Sequence, residues 1–349
     1  MEKPSYSQLP EPMERSRVPN SPPIRRSREI IIVGGGLAGL SAAIYLGRAL
    51  RDVLIIDAEE SLAIWELEVQ NYLGFPDSIQ GCELLRRGRE QARHYGAELI
   101  REEVDRLSRE NGRFHVYAKK SEFDCRKLLL ATGVYHLPPR IPAVDECVGK
   151  SMFFCKDCDG YRVQGRRVII VGCNNEAVEY ALGILMFTEC VMLLTNDKHP
   201  GWDALHDKWL RDYKIPVYTE KIVEVQHDSG YLNCIELRNA AKLQVDCLFT
   251  TRGDVIHNRL ARQLGAQVDA DGQIIVDHCQ RTSIPGLFAA GCVTPANCQM
   301  IIAAGDGATA AQAVNRELFE ECLKSGELLA HRKEQLCRDR VDPVLASGN

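Results

Sequence analysis

The sequence predicts an α/β protein built from two related units, and three observations carry that prediction. Short, continuous apolar runs, as buried parallel strands require, recur along the 349 residues. Two of them lead into a tight turn and then into helical spacing, at Gly34 and at Gly172. In both units a second apolar run ends 23 residues after that first glycine, at Asp57 and at Thr195. Two copies of strand, turn, helix and strand imply two Rossmann-like domains.

The elements follow in order. Ile30 to Val33 is the first buried strand, and Leu37 to Leu50 is the helix after its glycine turn. Val53 to Asp57 is a second strand ending in an acid. LLLATG (128–133) is an apolar strand ending in Ala131, Thr132 and Gly133. The repeat, RVIIVGCNNEAVEYALG (167–183), precedes a strand over Cys190 to Thr195. SIPGLFAAGC (283–292) reads as a strand ending in Gly291-Cys292, and GDGATAAQAV (305–314) as a helix packed closely through small residues.

Composition narrows the function classes. Hydrophobic residues make up 45% and charged residues 26%, with a net charge of −5, as in a soluble globular protein. At roughly 150 residues per domain the length suggests two domains. The charge balance argues against a nucleic-acid partner held by counterion release. No apolar run reaches membrane-spanning length, so no membrane partner is expected. Fourteen cysteines are scattered, with a single CxxC, and the first residues lack the apolar segment of a secretory signal. Mostly free thiols in the cytoplasm are expected. Residues 1–28 read as a disordered tail whose basic residues (Lys3, Arg15, Arg17, Arg25, Arg26 and Arg28) are solvated. The chain from about His331 reads as polar and frayed.

Gly34-Gly35-Gly36-Leu37-Ala38-Gly39 satisfies GxGxxG between a strand and a helix. Gly34 permits the turn, Gly36 lets a pyrophosphate approach the backbone, and Gly39 lets helix and strand pack closely. Asp57 is placed to accept from ribose hydroxyls. The second unit keeps Gly172 and a small residue at Ala177, but Asn174 replaces the middle glycine, followed by Asn175 and Glu176. Its second strand ends in Thr195-Asn196-Asp197, with no arginine for a 2′-phosphate. A Rossmann-like domain that binds no nicotinamide is at least as good a reading.

Cys155-Lys156-Asp157-Cys158-Asp159-Gly160 lies just upstream of the repeat. A zinc site needs further ligands at compatible spacing, and no second CxxC or HxxxH follows, so no metal is expected. Redox chemistry needs only these two sulfurs and an acid, Asp159, to move the proton of dithiol–disulfide exchange.

These motifs, in this order over residues 29 to 330, resemble the low-molecular-weight thioredoxin reductase family of flavoproteins. The resemblance rests on GGGLAG, Asn71-Tyr72-Leu73-Gly74-Phe75-Pro76, LLLATG, CKDCDG, the second unit, and LFAAGC followed by NCQMIIAAGDGATAA. It implies two Rossmann-like, three-layer ββα nucleotide-binding domains, one inserted in the other. The divisions are a tail (1–28), the FAD domain in two parts (29–146 and 251–332), an inserted NAD(P)H-like domain carrying the CxxC (147–250), and a C-terminal tail (333–349). It implies FAD as cofactor, Cys158 as the flavin-proximal cysteine, Cys155 as the interchange thiol, Asp159 as proton donor, Asn71 near the flavin ring, and Gln299 and Met300 opening a helix toward it. A homodimer is implied.

The sequence departs from that family's pattern at Asn174 and at Thr195-Asn196-Asp197. It also has Cys292 where an aspartate binds the ribityl chain; a small buried apolar role is preferred for Cys292 over a third redox thiol. Trp65 is expected to pack rather than stack on flavin. These departures resemble the branch that does not use pyridine nucleotides, ferredoxin-dependent or diflavin-linked, with the diflavin type most similar. The expected function is FAD-dependent transfer of electrons between flavin and the Cys155–Cys158 pair and on to a thioredoxin-like protein disulfide. NADPH is not the expected donor; ferredoxin, or a second FAD in the degenerate site, is the candidate. Two rivals stand beside it: a dithiol oxidase passing electrons to oxygen, and an FAD-binding redox sensor without turnover.

Overall fold

The computed structural model describes residues 26–341, with side chains described through 334. The basic residues Lys3, Arg15, Arg17 and Arg25 of the expected tail lie outside the described residues, as does the end of the chain beyond Val341. The described chain forms two compact units, one of residues 26–61, 87–133 and 258–341, the other of 62–86 and 134–257.

The first unit is built on a seven-stranded sheet. Its strands are β1 (Arg26–Val33), β2 (Val53–Asp57), β3 (Glu98–Arg101), β4 (Val104–Glu110), β5 (Arg113–Ala118) and β6 (Glu122–Leu130), in the order β3-β2-β1-β6-β5-β4, with the late strand β17 (Leu287–Ala289) also on β6. β1, β2, β3 and β6 run parallel, while β4 and β5 form an antiparallel arm. One edge of β6 pairs with β1, and the other is divided between two partners: Phe114 to Tyr117 pair antiparallel with its first residues, and Leu287 to Ala289 pair parallel with Leu128 to Leu130. The apolar runs Ile30 to Val33, Val53 to Ile56 and Leu128 to Leu130 are all buried, as strands covered on both faces must be. Helix α1 (Leu37–Arg48) packs against α8 (Met300–Ser325), and the C-terminal part of α2 (Gly81–His94) lies near α1, where a Cβ at Gly88 would meet Leu40.

The second unit begins with β7 (Val134–His136), α3 (Val144–Cys147), β8 (Met152–Phe153) and α4 (Lys156–Asp159). Its five-stranded parallel sheet has the order β11-β10-β9-β15-β8, from β9 (Val168–Val171), β10 (Val191–Leu194), β11 (Val217–Tyr218) and β15 (Cys247–Thr250), with α5 (Asn175–Ile184) and α6 (Ala204–Asp212) between strands. An antiparallel sheet of β12 (Ile222–Asp228), β13 (Tyr231–Leu237) and β14 (Lys242–Gln244) covers one face, closing a core that includes Ile169, Val171, Ile235 and Leu248. α5 covers the other through Ala177, Val178, Ala181 and Ile184. Trp65 is partly buried against the first of these cores. β16 (Asp254–Ile256) pairs with β7, and α7 (Arg259–Gln263), β17, α8 and α9 (Glu327–Val341) complete the chain.

Both ends depart from the sequence reading. β1 starts at Arg26, because Arg26, Ser27 and Arg28 pair with Phe123 to Cys125 and Arg28 bonds Asp52 at 2.8 Å. Residues expected to fray from His331 instead continue α9 to Val341, a segment of strong helix formers after the left-handed cap at Gly326.

Candidate flavin and disulfide site

The first glycine turn is closed by backbone sterics. Gly34 has φ +105°, and a Cβ there would lie 2.3 Å from the Ala131 carbonyl oxygen; one at Gly39 would lie 1.9 Å from the Gly34 oxygen. Gly36 differs: a Cβ there would only touch the Ser61 hydroxyl, at 3.4 Å, and would meet no backbone. Gly36 is the N-cap of α1 with no side-chain cap, and the first turn, containing Leu37 and Ala38, has no acid. The N–H groups and positive end of α1 are thus left for an anion.

The neighbouring loops lie at the same edge of the parallel strands. Ala131 donates to Val33 O (2.8 Å), leading into Thr132 and Gly133. A Cβ on Gly291 would sit 3.0 Å from Ala38 Cβ, and one on Gly307 2.0 Å from Ala38 O, so α8 and the loop after β17 abut the start of α1. Asp306, its carboxyl pushed upward by burial, accepts from the Gly291 N–H and has Oδ2 buried with no partner. Gln299 caps α8, and Met300 is its first residue. Gly36, the uncapped helix and the orphaned oxygen fit a dinucleotide cofactor.

Asp57 differs in detail from expectation. Gly35 N–H (3.0 Å) and Glu59 N–H (3.1 Å) donate to its Oδ1, and Arg89 to its Oδ2 (3.2 Å). The acid therefore also stiffens the turn, and Arg89 joins it, which no local sequence pattern announces. Asn71 is exposed on the loop between the bridged residues Val69 and Ile79, in the segment 62–86 of the second unit; the glycines belong to the first.

Cys292 overturns the apolar expectation. It is disulfide-bonded to Cys298, with Cα atoms 4.8 Å apart, and both are half-buried. The six-residue spacing hid the pair; the turn from Gly291 through Thr294 folds the chain back so that the sulfurs meet.

In the second unit Cys155 and Cys158 form a disulfide, with Cα atoms 5.2 Å apart. Cys155 is the N-cap of α4, and its Sγ accepts from the Cys158 N–H at 3.1 Å. That bond favours a thiolate at Cys155 after reduction. Asp159 is buried, 3.0 Å from Arg162 Nη1, and Arg162 also lies over the Phe153 ring. Burial holds the Asp159 carboxyl above the usual carboxylate range despite Arg162. Burial and the Asp159 charge push Glu66 up as well, against Arg162 and His136. Asp159, next to Cys158 in the chain, and Glu66, which feels its charge, are thus both inclined to keep a proton. The sequence names Asp159 as a candidate; Glu66, whose segment has no motif, joins it only through the fold.

The repeat's turn is tight but filled. A Cβ at Gly172 would lie 2.2 Å from Thr251 Oγ1. Asn174 caps α5, its Oδ1 accepting from Ala177 N–H at 3.2 Å. Asn175 and Asp203 bond reciprocally at 2.9 and 3.0 Å. Glu176, in the first turn, is pushed up by burial. Thr195 donates to Lys198 O (2.6 Å), Asn196 accepts from Ile222 N–H, and Asp197 pairs with Arg238. The Thr250 and Thr251 hydroxyls are buried without partners. Among the described residues no group of three metal-ligating side chains occurs, and no helix is long and apolar enough to cross a membrane.

A family model described as pyridine nucleotide-disulphide oxidoreductase matches residues 28–314. The chain is 31% identical over 296 residues to the thioredoxin reductase of Treponema pallidum (strain Nichols), covering 82% of this chain and 95% of that one. It is 30% identical over 309 residues to NADPH-dependent thioredoxin reductase 3 of Arabidopsis thaliana, covering 83% of this chain and 58% of that longer one. The crystal structure of a putative thioredoxin reductase TrxB from Bacillus anthracis superposes with a TM-score of 0.78 at 26% identity, over 84% of this chain and 99% of that one.

Proposed function

The chain belongs to the pyridine nucleotide-disulphide oxidoreductase family and is an FAD-dependent disulfide oxidoreductase of the thioredoxin reductase type; from that premise we propose that electrons pass through Cys155–Cys158 to a thioredoxin-like protein disulfide, from a donor other than NADPH. The observation that carries the path is the Cys155–Cys158 disulfide followed at once by the buried Asp159. FAD, when bound, would supply the reducing electrons for this disulfide. Gly34, Gly36, Leu37, Ala38 and Gly39 would seat its pyrophosphate on α1, with Asp57, Ala131 to Gly133, Gly291, Gln299 and Met300 around it.

Once reduced, the Cys155 thiolate, favoured by the Cys158 N–H, attacks one sulfur of the substrate disulfide. The second substrate sulfur leaves as a thiolate and takes a proton. Cys158 then attacks Cys155 Sγ, restores the disulfide and releases the reduced substrate. Asp159, protonated more readily than an exposed aspartate, holds the proton that this exchange consumes, and Glu66 extends the reservoir.

Against NADPH stand the side chains of the second turn. Asp197, paired with Arg238, places a carboxylate after the strand where a 2′-phosphate, which a flavin dinucleotide lacks, calls for arginine, and Asn174 caps α5 with its own oxygen. A second flavin at this site, or ferredoxin as donor, is our reading of what supplies electrons; the orphaned Thr250 and Thr251 hydroxyls favour a bound group there. Exposed Phe319, Leu323, Leu328 and Leu329 on α8 and α9 support a homodimer. Anaerobic mixing with NADPH decides the donor: rapid bleaching of the flavin absorbance overturns our reading, and persistence of the oxidised spectrum supports it. Flavin counted per chain distinguishes one bound flavin from two. Peroxide release on adding dithiols, without thioredoxin reduction, would instead favour the oxidase.

A further inference from the structure

We propose that Cys292 and Cys298 form a second redox-active pair, on the flavin-binding unit, reduced by exchange with a dithiol and re-formed by the reverse exchange with that molecule's disulfide. Three features carry this. The bridge lies in the loop joining β17 to α8, beside Gly291, whose Cβ would touch Ala38 at the first glycine turn. The loop does not need the bridge for its shape: Thr294 N–H and Oγ1 both bond Gly291 O (2.9 and 2.8 Å), Ala296 N–H bonds Thr294 O, and Gln299 N–H bonds Asn297 O. A loop this short is also where a cross-link restrains the unfolded chain least. Finally, nine other described cysteines are unpaired, including exposed Cys82 and Cys190, the pattern of a chain kept among reduced thiols, where a disulfide that forms is one that turns over.

The two sulfurs are not equivalent. Cys298 lies two residues before Met300, the first residue of a 26-residue helix with no acid in its first turn. The positive end of α8 favours a thiolate at Cys298, making it the better leaving group. One thiolate of the incoming dithiol bonds Cys292 Sγ, the Cys292–Cys298 bond breaks, and its electron pair remains on Cys298. The second thiol of the incoming molecule gives up its proton and attacks its own bound sulfur. It leaves as a disulfide, and Cys292 and Cys298 end as thiols with the two protons.

The test uses flavin-loaded protein incubated anaerobically with dihydrolipoamide, quenched, alkylated with one mass label while folded and a second label after denaturation. We expect the peptide spanning Cys292 and Cys298 to carry no folded-state label before reduction and to gain it at dithiol concentrations that also label Cys155 and Cys158. Labelling only after denaturation, or labelling before any reductant, overturns the proposal. In the Cys155→Ser, Cys158→Ser double variant the labelling of Cys292 and Cys298 should persist. Its loss would show that their electrons arrive only through the first pair and would overturn direct exchange. Failure of the Cys155–Cys158 pathway itself would show separately, as absent labelling of that peptide in the unsubstituted protein.

Discussion

The two glycine turns present the same backbone solution with opposite outcomes at the helix end. At Gly36 no side chain caps α1, and a Cβ there would meet only the Ser61 hydroxyl. At Asn174 the side chain satisfies α5, and Asn175, Asp203, Asn196 and Asp197 knit the surrounding loops together. A strand–turn–helix unit is therefore not a binding site in itself. Where the end N–H groups have no intramolecular partner they are presented to a phosphate; where a side chain caps one of them, a ligand must lean on other groups, here the buried Thr250 and Thr251 hydroxyls.

The largest expected effect tests the division of labour between the units. Cys155→Ser should lower disulfide reduction by about a thousandfold, roughly 4 kcal/mol of barrier, while flavin per chain stays at the unsubstituted level. Loss of flavin in that variant would break the comparison. Asp159→Asn comes next, at about a hundredfold in turnover, the ordinary scale for a positioned acid. Because burial raises the Asp159 pKa, its protonated form persists above the usual carboxylate range and is lost as pH rises through the raised value. The unsubstituted enzyme should lose activity along that limb and Asp159→Asn should not, which a pH–rate profile reads directly. By the same sign, the neutral carboxyl's contribution to stability is present at low pH and declines as pH rises through the folded value.

Gly36→Asn carries the second turn's side chain into the first. Flavin content measured on the purified protein should fall about tenfold, or roughly 1.4 kcal/mol; unchanged content would mean that Gly36 does not border the cofactor. The smallest effect is the reciprocal one. Asn174→Ala removes a cap and should cost about 1 kcal/mol, a few degrees in thermal unfolding. It should confer no reduction by NADPH, since Thr195, Asn196 and Asp197 remain.

How much was legible follows the range of the interactions involved. Buried strands announced themselves because their neighbours cover both faces, leaving unbroken apolar runs at 30–33, 53–56 and 128–130. The glycine turn and CxxC-Asp were legible because each acts over a few residues. The arm β4–β5 and the sheet β12–β14 were not identified, since partly exposed strands carry charges among their apolar residues. Glu66 was hidden because its proximity to Asp159 and Arg162 depends on tertiary folding. The Cys292–Cys298 bridge was missed because a reading of composition treats an isolated cysteine as a small apolar residue. Arg89 reaches Asp57 from another helix, and nothing in the local pattern of either residue encodes that meeting.

The split allegiance of β6 has a consequence for biosynthesis. During translation β6 can pair with β1 on one edge and its first half with β5 on the other as soon as residue 130 has emerged, but the second half of that other edge must wait for Leu287, after the whole of 134–257 has left the ribosome. The later unit thus has its own strands in hand before the earlier one can complete its sheet. Nascent chains halted short of β17 should consequently leave one flank of β6 exposed and open to chaperones.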